Sequence, residues 1–169
     1  MRAALKWIPL LPVAVFPYTI WIVGSIAPPP CLSSPAVSPV VLLGLFWLLG
    51  LIGGVLTLWQ SLRGKWEGRR LALVSMLIKL LHVQNYITLF LGAMLLFAIP
   101  MVPVLIWVVD VMTILLSGLV GLAAVLRCRA EGRLTNKAAV INGILQFVFC
   151  ADMISAIWVY RNTKEAFLV

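Results

Sequence analysis

The side chains able to do chemistry sit inside runs of apolar residues. Lys79, His82, Gln84 and Asn85 follow one another along one such run, Asp110 lies in the next, and Asn142, Gln146 and Asp152 lie in the last. A charged group at membrane depth costs roughly 2.5–3.5 kcal/mol on insertion scales, and such groups tend to serve a function. His82 is the single histidine, and its ordinary pKa lies nearest to physiological pH. Beside Asp110 or Asp152 it could relay a proton or sense pH, as Asp/His chains do in proton-coupled carriers. The competing reading is interhelical glue, in which polar side chains fix helix packing at about 0.6 kcal/mol per hydrogen bond.

Spacing brings these residues into register. Ser75, Lys79, His82 and Tyr86 recur at intervals of four, three and four, so they line one helical stripe. Asn142 and Gln146 are four apart. At 1.5 Å per residue from Arg70, Lys79 lies ~13 Å deep, His82 ~18 Å and Asn85 ~22 Å. Counted from Arg127, Asp110 lies ~25 Å deep; counted from Lys137, Asn142 lies ~7 Å, Gln146 ~13 Å and Asp152 ~22 Å. Asn85, Asp110 and Asp152 then form one layer in the outer half of a ~30 Å core, with Lys79 and Gln146 in a deeper one. Lys79 has a plainer alternative, snorkelling toward the inner surface.

No enzyme signature accompanies this cluster. The chain lacks H-E-x-x-H, G-x-S-x-G and Walker-type loops. One histidine without vicinal carboxylates gives no metal site of recognisable spacing, and no cofactor motif is present. Cys31, Cys128 and Cys150 form no C-x-x-C pair; an odd, unpaired count argues for plain thiols.

The elements that carry these residues follow from composition. Of 169 residues, 63% are hydrophobic and 11% charged, with a mean hydropathy of +1.12. Soluble domains average about 45–50% apolar and 25% charged residues, and a domain this small cannot hide such an excess. The fold class is therefore all-α, a polytopic integral membrane protein forming one domain over residues 1–169. Apolar segments fall at 7–27, 39–60, 71–99, 102–126 and 138–160. Each reaches the roughly 20 residues a crossing helix needs, which predicts a bundle of five transmembrane helices.

The loops orient it. Residues 61–70 hold Arg63, Lys65, Arg69 and Arg70, and residues 127–137 hold Arg127, Arg129, Arg133 and Lys137. The opposite loops, 28–38 and 99–103, carry no charge. The asymmetry places 61–70, 127–137 and the N-terminus in the cytoplasm. Five spans put the C-terminus outside, where Arg161 and Lys164 run against the rule; four spans remain the alternative. The first segment ends in Ser25-Ile26-Ala27, which has the look of a signal cleavage site, but its apolar stretch exceeds the usual 7–15 residues and Pro28, Pro29 and Pro30 follow at once. It is kept as a helix, bent by Pro9, Pro12 and Pro17. Cleavage would leave four helices.

The net charge of +8 is concentrated in these loops, so it fits anionic lipid headgroups and not nucleic acid. Trp7, Trp59 and Trp66 near the inner ends, and Trp21, Trp107, Trp158 and Tyr160 near the outer ends, read as interfacial anchors. Gly50/Gly54 and Ser117/Gly121 have the small-x-x-x-small spacing that lets helices approach closely, and either pair offers a seam for a homo-oligomer. The expected function is binding or transport of a small solute, ion or proton at the cluster of His82, Asn85, Asp110, Asp152, Lys79, Gln146 and Asn142. A non-catalytic assembly subunit is the alternative from another class, and a membrane enzyme acting on a lipid is the third.

Overall fold

The structure, a computed structural model, describes residues 7–26, 39–95, 97 and 101–165. Arg2, Lys6, the proline-rich linker with Cys31 and residues 99–100 of the 99–103 turn lie outside the described residues. Among those described, every regular element is helical.

The first apolar segment is broken where its prolines predict. Helix α1 (Leu10–Val15) gives way to a 3-10 turn over Phe16–Tyr18 and then to α2 (Thr19–Ile26). Pro17 sits in the first turn of the 3-10 piece, where its missing N–H and its ring disrupt the regular ladder. Three long helices follow: α3 (Pro39–Leu62), α4 (Gly68–Leu95) and α5 (Met101–Ala130). Pro39 and Pro103 fall in first turns, where no intrahelical N–H is needed. These three helices are long and apolar enough to cross a membrane.

Helix α5 is central and packs against α3 and α4. The Gly50/Gly54 seam is filled within the chain. A Cβ added at Gly50 would meet the Leu116 side chain, and one at Gly54 would meet Leu119. Ser61 Oγ donates across the same seam to the Ala123 carbonyl at 2.9 Å. Gly53 lets the first segment approach, since a Cβ there would strike the Pro9 carbonyl oxygen. On the other side of α5, Gly118 and Gly121 lie against Phe147 and Gln146. Both small-residue seams thus hold the chain's own helices together.

The two basic turns share one construction. Gly64 and Gly132 both have φ +74, the left-handed conformation that only glycine adopts without penalty. In each case the next residue bonds back into the last helical turn, Lys65 N to Gln60 O at 3.0 Å and Arg133 N to Cys128 O at 2.9 Å, as in a Schellman closure. Glu131 then ties the turns to each other. It accepts from Gly68 N at 2.9 Å and pairs with Arg127 and Arg133, each at 3.0 Å. Arg127 Nε also reaches the Trp66 carbonyl at 2.7 Å. Both basic turns therefore lie at one end of the bundle.

The last apolar segment departs from expectation. Residues 138–160 do not form one continuous helix. Helix α6 (Asn136–Leu145), capped by Thr135 accepting from Ala138 N, stops and α7 (Ala151–Glu165) begins after a break at 146–150. The two halves run antiparallel. Ser155 meets Asn142 midway along the pair, and near its open end Arg133 Nη1 donates to the Thr163 carbonyl at 3.4 Å. The segment enters from the basic end, turns at Cys150 (φ 63) and returns. Tyr160 accordingly lies beside Arg69 and Arg70, which corrects its assignment to the opposite end. The end of α7 sits with the basic turns, and 138–160 does not supply a fifth continuous helix of crossing length. The break is physically reasonable: Phe147, Val148 and Phe149 are weak helix formers, and the ends of the half-helices find polar partners.

Candidate functional site

The hairpin tip is fastened to α4 by an ion pair. Lys79 Nζ lies 3.0 Å from Asp152 Oδ2, and both side chains are almost fully buried. Lys79 also donates to the Gln146 carbonyl at 3.5 Å and the Asp152 carbonyl at 3.4 Å. Gln146 closes the C-terminal end of α6, where helix carbonyls leave partial negative charge, and Asp152 is in the first turn of α7, where N–H groups leave partial positive charge. Each charged side chain thus faces its opposite partner and the complementary helix end.

A neutral network continues from the pair. Gln146 Nε2 donates to Ser155 Oγ at 2.9 Å, and Ser155 Oγ donates to Asn142 Oδ1 at 2.8 Å. Asn142 Nδ2 donates to the Ala138 carbonyl at 2.8 Å. Ser155 is missing from the residues singled out in the sequence, although it lies one turn after Asp152 on the same face.

The remaining expected residues have other neighbours. His82 is fully buried, and its Nε2 lies 3.3 Å from the Ala14 carbonyl, so it faces the first segment. Asn85 Oδ1 accepts from Trp21 Nε1 at 3.2 Å. Asp110 is half-buried, and its Oδ1 has no hydrogen-bond partner among the described residues. The hydrogen bonds of Asn85 and Asp152 thus go to Trp21 and Lys79 and not to one another. Counting depth along 138–160 as one helix placed Asp152 too far out, because the hairpin folds it back to the level of Lys79 and Gln146. The stripe through Ser75, Lys79, His82 and Tyr86 is present and turned inward.

Between α4 and the hairpin tip lies a cavity of about 490 Å³. Its walls are apolar apart from Lys79, Asp152, Tyr86 and Cys150. The Tyr86 hydroxyl is buried without a hydrogen-bond partner among the described residues, and the ring stacks edge-on against Phe149 at 5.5 Å. Ile87, Phe90 and Ile154 line the cavity and are more than half exposed, so it opens on the side of the bundle. His82 is not part of its lining. Among the described residues, no three His, Cys, Asp or Glu side chains gather where they could hold a metal.

These features define an all-helical protein with three helices of membrane-crossing length and apolarity, and a helical hairpin whose tip builds a polar site against one of them. The chain belongs to DUF6652, a family of unknown function, whose sequence pattern matches residues 73–165. That stretch contains Lys79, Tyr86 and the whole hairpin, so every candidate site residue falls within it. No curated protein and no solved structure matches the chain.

Proposed function

We propose that this protein binds a small, largely apolar molecule in the cleft beside the hairpin tip, with Lys79, Asp152 and Tyr86 as its polar contacts. One observation carries the reading: a sideways-opening cavity of about 490 Å³ ends on a buried ion pair and on a hydroxyl with no partner. Its size lies in the 300–1,000 Å³ range of small-molecule sites, which pair apolar walls with a few polar groups. The topology that fits is four crossings, made by the bent first segment and α3, α4 and α5, with α6 and α7 as a re-entrant hairpin. Irregular backbone at membrane depth must find polar partners, and in the break the N–H groups of Phe147, Val148, Ala151 and Asp152 bond to nearby carbonyls. The basic residues of the two turns and of the end of α7 then lie on the cytoplasmic side, Arg161 and Lys164 included.

A second reading is supported by the Lys79–Asp152–Gln146–Ser155–Asn142 network, whose hydrogen bonds hold the hairpin together. On that reading the protein is an assembly subunit and the polar residues only fix its packing.

The two separate by photolabelling in proteoliposomes with an apolar aryl diazirine. Binding in the cleft concentrates label on Ile87, Leu91 and Met153, and Val83→Trp, which fills the cavity, removes it. Label spread evenly over all lipid-facing helix surfaces sinks the binding reading and leaves packing as the role of the cluster.

A further inference from the structure

Resting on that reading, we infer that the cleft selects an uncharged amphiphile, one whose head is a hydroxyl or carbonyl group, over an anionic or a cationic one. Lys79 and Asp152 meet at 3.0 Å, so the two ionic groups that line the cavity among the described residues cancel each other. The N–H groups of Lys79 are directed into protein, toward the Gln146 and Asp152 carbonyls and the Asp152 carboxylate. An anionic head would have to take Lys79 from Asp152, and a cationic head would have to take Asp152 from Lys79. Either exchange strands a charge in a medium where an unpaired charge is costly.

What the site does offer is Tyr86, which lines the cavity and whose buried hydroxyl has no hydrogen-bond partner among the described residues. A phenol both donates and accepts, so it matches an alcohol or a carbonyl oxygen and needs no counter-ion. A buried polar group left unpaired is costly, and a ligand that pairs it gains that energy back. The apolar body of the ligand has a route in. Phe90 and Ile154 at the rim are 64% and 69% exposed, toward the hydrocarbon phase in the proposed topology. The occupant is therefore a molecule dissolved in the bilayer, entering from the side, with its head reaching Tyr86 at mid-membrane.

The test uses the full chain, native mass spectrometry and three probes of equal chain length: dodecan-1-ol, dodecyl phosphate and dodecyltrimethylammonium. The wild type should retain the alcohol about tenfold or more above either ion, on the cost of an unpaired charge in hydrocarbon. Tyr86→Phe should lower alcohol retention severalfold while diazirine labelling of the cleft persists. Asp152→Asn frees Lys79 and should gain dodecyl phosphate; Lys79→Met frees Asp152 and should gain the trimethylammonium probe. If those two variants fail to fold, the wild-type ranking and Tyr86→Phe decide alone. Retention of either ion at the level of the alcohol, or an unchanged Tyr86→Phe, overturns the inference and leaves the binding reading standing. Retention of no probe overturns the inference as well, and evenly spread diazirine label alongside it removes the binding reading too.

Discussion

Lys79 and Asp152 are bound to each other and to the hairpin. Each faces a charge of opposite sign and the matching end of a half-helix, so removing one partner strands the other in an apolar interior. Breaking a buried pair in this way typically costs about 3–5 kcal/mol, whereas replacing both members with apolar residues of similar volume is often close to neutral. Asp152→Ala should therefore lower the unfolding temperature in detergent far more than Ser117→Ala, a small packing change. The double variant Lys79→Met/Asp152→Leu should recover most of the loss. If the double variant loses as much as the sum of the single ones, the pair is not the coupled unit described here. The sequence already named both residues, because a charge inside an apolar run stands out. It set Asp152 a layer away from Lys79, because depth along one straight helix was the only available ruler. Tyr86 appeared there as one member of a stripe; that its hydroxyl would be left unpartnered depends on the cavity, which no local pattern encodes.

At the scale of elements, continuous apolarity made α3, α4 and α5 legible, and three prolines in nine residues made the first segment legible as a broken one. The hairpin was hidden for a related reason. The run 138–160 has the length and hydropathy of a crossing, and hydropathy does not distinguish a helix that crosses from one that turns back. A sign of the turn was nonetheless present in Arg161 and Lys164, which violate the charge rule only if the segment crosses. The turn itself depends on Cys150, a residue with a side chain at φ 63. A left-handed conformation costs about 1–2 kcal/mol for such residues and little for glycine. Cys150→Gly should therefore preserve or raise thermal stability, and Cys150→Val, β-branched at the same φ, should lower it by at least about 1–2 kcal/mol. Equal stability of the two variants in thermal unfolding would show that the tip does not hold this conformation.

For the whole molecule, the hairpin reverses one consequence of the five-helix count. The bonds of Glu131 to Gly68, Arg127 and Arg133 place both basic turns at one end, and the bond of Arg133 to the Thr163 carbonyl brings the end of α7 to them. A bundle whose basic residues share one end is oriented by all of them together, so the C-terminus should follow the turns into the cytoplasm. Cys128 is fully buried and so cannot report on sidedness. Lys65 and Arg129 are exposed and can, as Lys65→Cys and Arg129→Cys in a background without other cysteines. Neither should react with an impermeant thiol reagent added to intact cells, and both should react once the membrane is opened. A cysteine appended after Val169 should behave in the same way. If that terminal cysteine is labelled in intact cells while the other two are protected, the last segment crosses the bilayer after all, and the Lys79–Asp152 pair would have to be rebuilt on a continuous helix.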